Sequence, residues 1–353
     1  MDSDDLSFEM LMEITSRASL ETLDIMRCMC KELNKLTYEP YLLDLYKKRN
    51  NIVSGFLIQD MKSEWMDIKE FAPSRDSNCL DLGFLPSNAR ILATSEQGII
   101  VYQTPDSADF RNGVYHVCKP ATRQVLALPN PKAKYTLCKV ALVVMSLRPL
   151  HYKIIRFSDH PALKRGRKFY TRYSCDIFDS TTWEWRSQNH IRLDDGVFFT
   201  NPQPVTKSGS IYMLLTNNDI FKFDAYSEKW EVCPPPIRYD QYGTASMDLV
   251  KYGGRLGVAC KPPNGDGCRE IWVRTTDGLW EKEGVAGEGE RETESLKALY
   301  DSDTSVVAQN DTLLFYRFKQ EGDNMINKVA LNDILIPCEM FTFRSDFEPI
   351  DLI

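Results

Sequence analysis

The 353-residue chain is short of histidine, with four residues in all, and has no apolar run long enough to cross a bilayer as a helix. Its most apolar run, Val140 to Met145, falls well below the ~20 residues that a spanning helix needs. The opening MDSDDLSFEM lacks a basic n-region and an apolar h-region, which argues against a secretory signal. The ten cysteines make no framework: Cys28 and Cys30 are two apart, Cys260 and Cys268 are eight apart, and the rest are scattered. With so few histidines to help, neither a zinc ribbon nor any other metal centre is expected. The expectation is of reduced core thiols in an intracellular protein, nuclear or cytoplasmic. Positive charge is not in excess either. The net charge is −7, so neither nucleic acid nor a membrane surface is expected as a partner.

Signatures of catalysis are also missing. The glycine-rich stretch Gly284 to Gly289 lacks the Lys-Ser/Thr of a phosphate loop and is crowded by Glu281, Glu283, Glu288, Glu290, Glu292 and Glu294, which would repel phosphate. No Gly-x-Ser-x-Gly elbow occurs, so no serine shows a sign of activation. His116, His151, His160 and His190 stand isolated in sequence. Asp194 and Asp195 are neighbours, and adjacent strand residues face opposite ways. No copper-ligand set of Tyr, His and Cys can be assembled. The expectation is a non-enzymatic chain with no catalytic residues, metal or cofactor.

What is present is ordinary globular composition, 43% hydrophobic and 26% charged, in two successive regimes. Residues 6–49 hold no glycine and one proline, with apolar residues at helical spacing. From about residue 55, short apolar runs alternate with Gly, Pro, Asp and Asn clusters, the pattern of many short strands. This sets domains at 1–49 and 50–353, an α+β multidomain chain. In the first part Ser7 is expected to cap one helix carrying Met10, Leu11 and Ile14. Ser19 caps a second carrying Leu20, Leu23, Met26, Met29, Cys30, Leu33 and Leu36, and Pro40 opens a third with Leu42, Leu43, Leu45 and Tyr46. A module this small cannot bury all of these faces internally, so apolar surface is left for a partner.

The order of these residues resembles the F-box motif, with its Leu-Pro start, Ile-Leu-x-Arg-Leu-Pro middle and Arg-x-Val-Cys-Lys-x-Trp end. Leu6, Met10, Ile14, Arg17, Leu23, Arg27, Cys30 and Lys31 fall at matching places. Ser7 and Ser19 replace prolines, Thr15 and Ala18 replace leucines, Met29 replaces valine and Leu33 replaces tryptophan. The resemblance implies a three-helix module that binds an SKP adaptor, and a cullin through it, using Leu6, Met10, Ile14, Leu23, Met29, Cys30 and Leu33. The alternative is a helical cap on the β domain.

The remainder repeats itself. LIQDMKSEW, VCKPATRQV, IFDSTTWEW, KFDAYSEKW and WVRTTDGLW align, ending at Trp65, Val125, Trp185, Trp230 and Trp280, with a weaker GDNMINKV ending at Val329. The ends are 60, 60, 45 and 50 residues apart. A polar turn in which Asp, Thr or Ser bonds its own backbone explains the middle, and a ring packed between sheets explains the tryptophan. A second signal, a turn residue before an apolar strand, precedes Ile99, Ser210, Arg255 and Thr312. Repeats of this length with several strands predict propeller blades, about six. A non-repeating β-sandwich is the alternative.

This region is similar to the F-box-associated domain, itself kelch-like. The residues that carry the likeness are Val117 to Arg123 with Leu128-Pro129, Tyr152-Lys153-Ile154, Phe223-Asp224 with Trp230, and Ile271-Trp272-Val273. Lys119 stands where asparagine is usual, and only Gly253-Gly254 matches the kelch double glycine. Together the two resemblances imply the substrate-recognition subunit of an SCF-type ubiquitin ligase, linking the adaptor to an unknown target protein. The alternative is a stand-alone ligand- or glycan-binding propeller. Segments 158–172, 234–243 and 262–269 are expected as loops. The basic run Lys164, Arg165, Arg167 and Lys168 reads as a nuclear import signal, a contact for an acidic target, or a solvated loop.

Overall fold

The computed structural model describes residues 7–18, 20–37, 39, 41–42, 45, 53–60, 69–73, 80, 82–105, 113–120, 123–132, 135–165, 168–200, 203–237, 246–252, 255–261, 269–275, 277–286, 295–301, 304–309, 312–317, 324–330, 338–344 and 352. Helices come first. α1 spans Phe8–Thr15, with Ser7 as N-cap accepting from the Met10 amide and Glu9 in the first turn. α2 (Leu20–Met29) and α3 (Lys31–Thr37) replace the single helix expected from Ser19. Cys30 divides them. Its thiol accepts the Leu33 amide at 3.5 Å and its carbonyl the Asn34 amide, so a residue read as an apolar position serves as an N-cap. Ser19 and most of the helix expected after Pro40 lie outside the described residues. No helix among the described residues is long and apolar enough to cross a membrane.

The β region is a propeller. Five four-stranded antiparallel blades follow in order: β3 (Arg90–Thr94), β4 (Ile100–Thr104), β5 (Val114–Lys119) and β6 (Gln124–Ala127); β7 (Leu137–Leu147), β8 (Leu150–Arg165), β9 (Lys168–Asp179) and β10 (Glu184–Asp194); β11 (Val205–Lys207), β12 (Ser210–Leu214), β13 (Ile220–Asp224) and β14 (Lys229–Cys233); β15 (Ser246–Tyr252), β16 (Arg255–Lys261), β17 (Arg269–Arg274) and β18 (Trp280–Ala286); β19 (Ser295–Asp301), β20 (Thr304–Gln309), β21 (Thr312–Arg317) and β22 (Asn324–Ala330). The expectation of about six blades is therefore corrected to five of four strands. A further three-stranded sheet, ordered β2-β1-β23, joins β1 (Ser54–Asp60) and β2 (Lys69–Pro73) to β23 (Cys338–Arg344). The count from sequence rested on one hairpin per blade, and the β1–β2 hairpin supplied a sixth without four described strands around it. The first strands β3, β7, β11, β15 and β19 touch in succession, and β23 touches β3. Polar bonds tie this junction. Gln59 donates to the Ile91 carbonyl and accepts the Ile91 amide, both at 2.9 Å, and Glu339 accepts from Gln59 and Gln203.

Apolar material lies between the blades. One cluster packs Ile155, Phe157 and Tyr173 of the second blade on Ile211, Phe221 and Phe223 of the third. Another packs Val101, Tyr115 and Val117 of the first on Tyr152, Ile154 and Phe178 of the second. Middle strands are consequently buried on both faces, as in β4 and β16, while the fourth strands β6, β10 and β14 are largely exposed. That is why the middle strands read as unbroken apolar runs rather than alternating ones.

The aligned repeat is one hairpin used again and again. Val125, Trp185, Trp230 and Trp280 all lie on fourth strands. Two residues before each stands a left-handed residue: Arg123, Trp183, Glu228 and Gly278, with φ of 52°, 56°, 56° and 82°. Asp179 Oδ1 accepts from the Thr181 amide and hydroxyl, and Asp224 Oδ1 from those of Ser227. The shared polar turn is thus a backbone requirement. Trp65 lies outside the described residues. The second signal precedes the second strand in three blades but the third strand β21 in the last, since short hairpin turns look alike whichever strands they join.

The tryptophans themselves differ. Trp185 reaches the neighbouring blade, with Nε1 donating to the Pro129 carbonyl at 2.5 Å and its ring 5.5 Å from Tyr115 and from Phe178. Trp230 stacks on Phe221 but is 37% exposed, so it is not the packed core ring expected from sequence. Trp185→Ala is expected to cost about 3 kcal/mol and Trp230→Ala about 1 kcal/mol, from the side chain burial each removes. Urea unfolding of the two variants measures the difference.

Candidate functional site

Two surfaces offer chemistry to a partner. The first is on the helices. A small core of Met12, Leu36 and Leu42, with Leu11 and Leu33 against it, uses one side of them. Left in solvent are Met10 and Ile14 on α1 and Ile25 and Met29 on α2, from 54% to 69% exposed. Each pair is spaced i, i+4 and so shares a face. Phe8 and Tyr41 are exposed as well. Of the residues expected to meet an adaptor, Met10, Ile14, Met29 and Cys30 are exposed, Leu23 is buried at 3%, and Leu33 packs on the helical core. Leu6 lies outside the described residues. Phe8, Ile25 and Tyr41 were missed, because a motif match marks apolar positions without saying which of them the module consumes.

The second surface is on the second blade, whose strands of 11, 16, 12 and 11 residues are longer than the rest. The stretch 158–172, expected as a loop, lies on the β8–β9 hairpin instead. Lys164 pairs with Phe169 and Arg165 with Lys168 in register, while Arg167 lies outside the described residues. Lys164 sits over the exposed Phe169 ring at 5.3 Å, a cation–π contact. Lys164, Arg165 and Lys168 thus stand on the last described rungs of a sheet extension.

An ionic clamp holds this blade to the next. Glu228, in the β13–β14 turn, accepts from Lys153 at 2.8 Å and from Arg186 and Gln188. Lys153 Nζ also donates to the Ala225 carbonyl at 2.8 Å. The Arg186 guanidinium above all, then Lys153, pushes the Glu228 carboxyl down to about 2 against the desolvation that opposes it. Nearby, Arg156 bonds Asp176 at 3.2 Å and the Tyr115 hydroxyl at 3.1 Å.

Among the described residues the histidines and cysteines form no ligand set. His116 stacks on Tyr102 and bonds the Val114 carbonyl, and His151 lies 3.0 Å from Asp179. His160 and His190, read as isolated, meet with ring centroids 4.3 Å apart. Burial pushes the thiols of Cys138 and Cys260 up to about 11 and about 12, and those of Cys118 and Cys175 up as well. Such thiols stay protonated at neutral pH. Among the described residues no three His, Cys, Asp or Glu side chains gather as a metal site. Asp194 and Asp195 are exposed, Gly284 lies on strand β18, and Gly253-Gly254 is outside the described residues.

A family model described as the F-box associated beta propeller domain matches residues 59–317. The chain belongs to that family. As an F-box-associated propeller it is also similar to curated relatives from Arabidopsis thaliana. The F-box protein At5g41720 is 31% identical over 170 residues, spanning 44% of this chain and 87% of that protein. The F-box protein At5g49610 is 22% identical over 268 residues, spanning 71% of this chain and 70% of that one. The matched span covers the four fourth-strand hairpins from Val125 to Trp280.

Proposed function

We propose that this F-box-associated propeller is the substrate-recognition subunit of an SCF-type ubiquitin ligase. Residues 1–49 bind an SKP adaptor, and through it a cullin, while residues 50–353 hold a target protein. The observation that carries the reading is the pairing of a family propeller with short helices that leave Met10, Ile14, Ile25 and Met29 in solvent. Unpartnered apolar side chains of this kind mark a protein contact. In this reading the chain is not an enzyme. It acts by proximity, because a tethered target meets the conjugating enzyme at a raised effective concentration. Its place of action is the nucleus or the cytoplasm, where the ligase partners are.

The test separates the two halves. Full-length protein and residues 50–353 are purified with their partners from proteasome-inhibited cells. Both are expected to retain the same target, while only the full chain retains adaptor and cullin and supports ubiquitin transfer. The short form should act as a dominant negative and lengthen the target's half-life. Absence of adaptor from the full-length sample would overturn the ligase reading.

A further inference from the structure

A row of arginines and histidines crosses the extended second blade. β9 lies between β8 and β10, and Arg172 pairs in register with His160 on one side and Arg192 on the other. Register partners point to the same face of an antiparallel sheet, so His160, Arg172 and Arg192 line up. The His190 ring joins them, 4.3 Å from His160, and the Tyr135 ring lies 4.4 Å from His160. Both neighbours of β9 bulge at this level, between His160 and Leu163 and between Gln188 and Ile191. Bulges re-aim side chains and are common beside functional sites.

Among the described residues of the blade the carboxylates are few on this face: Asp194, two residues from Arg192, shares it at an exposed position. Cations directly opposite one another destabilise a sheet, and strand alternation puts Asp159 on the other face from His160. Asp176, on the same face, is already taken by Arg156 at 3.2 Å and the Ser187 hydroxyl at 2.6 Å. Desolvation first, then His160, Arg172 and Arg192, hold the His190 imidazole below its ordinary range, with Asp176 opposing. Among the described residues Arg172 Nε is buried with no hydrogen-bond partner, and so are the hydroxyls of Ser158 and Ser174, register partners in the adjacent row. A buried donor left unmade carries its full desolvation penalty, the more so when it is charged.

We propose that this row binds a phosphate monoester, carried on a phosphorylated side chain of the protein that the propeller holds. The carrier rests on the receptor reading above; phosphate binding by the row does not. Guanidinium forks match phosphate oxygens in pairs. Two arginines also suit a group of charge about −1.5 to −2 at neutral pH better than a carboxylate of single charge, and each neutral imidazole can add one ring N–H donor. Arg192 and His190 are exposed and leave a way in. A nucleic-acid backbone fits less well, because the chain's net charge is −7 and the row is one residue deep.

The four histidines make the test direct. Full-length protein is titrated with inorganic phosphate against chloride at constant ionic strength, following the imidazole ring protons by NMR. Saturable shifts are expected for His160 and His190, while His116 and His151 stay still and serve as internal controls. Arg192→Gln, at an exposed position, should weaken phosphate at least about tenfold, with Arg172→Gln as a second variant and near-ultraviolet circular dichroism confirming the fold of each. A short peptide with one phosphoserine should compete, and the same peptide with serine should not. Equal shifts at all four rings, or unchanged affinity in folded Arg192→Gln, overturns the site. Binding of inorganic phosphate without the phosphopeptide overturns the protein carrier and leaves free phosphate as the ligand. Loss of adaptor capture with phosphate binding intact sinks the receptor reading alone.

Discussion

Replacing Glu228 with Gln is expected to destabilise the protein by about 3 kcal/mol at pH 7, because it strips the counter-charge from a buried lysine. The Lys153 side chain is 8% exposed and that of Glu228 15% exposed, and Arg186 shares the same carboxylate. Gln keeps the shape and the left-handed turn, so the loss reports the charge. The pH dependence follows from the depressed carboxyl. Its ordinary value is 4.5 and its folded value about 2, so the unfolded chain takes up the proton first as pH falls. The clamp's contribution is whole above about pH 4.5 and fades as pH drops towards 2. Urea unfolding from pH 7 down to pH 3 should show the gap between wild type and variant closing below pH 4.5. A gap that stays constant with pH would mean that Glu228 acts through packing and not through its charge.

Adaptor capture should be the function most sensitive to substitution. Ile14→Asp together with Met29→Asp changes two side chains that are 56% and 69% exposed, so folding is expected to survive. Each would press a charge into an apolar contact, and the pair should weaken adaptor binding at least about 100-fold. The readout is calorimetric titration with a purified SKP adaptor, alongside circular dichroism. Leu23→Asp makes the contrast. Leu23 is buried at 3%, so that variant should unfold the helices, and its loss of binding would say nothing about contact. Wild-type affinity in folded Ile14→Asp/Met29→Asp would place the adaptor elsewhere.

Much of the fold is legible in the sequence. Helical spacing in the first part and short apolar runs after it agree in type with the helices α1 to α3 and the strands from Ser54 onward, while the boundary expected near residue 50 lies outside the described residues. The aspartates of the repeats proved to be turn residues, because Asp179 and Asp224 bond Thr181 and Ser227 two and three positions on. Contacts of that range are written in neighbouring letters. The blade number was not. It depends on how β23 returns to pair with β1, Ser54 to Arg344 and Asp60 to Cys338, and no local pattern records a pairing of that separation. The helix break at Cys30 also escaped, since a thiol accepting a backbone amide leaves the apolar spacing undisturbed.

The functional surfaces divide in the same way. By itself the sequence determined which side chains are apolar on the helices, where each hairpin turns, and that a basic run stands at residues 164–168. Only the tertiary structure decided that Leu23 is buried while Ile25 is left outside. It also brought His160, Arg172, His190 and Arg192 into one row and set Glu228 against Lys153. Spacing along a chain fixes local backbone and the period of burial. Which faces meet, and which charges are left without an opposite, is settled by strand register and blade stacking between residues far apart in sequence.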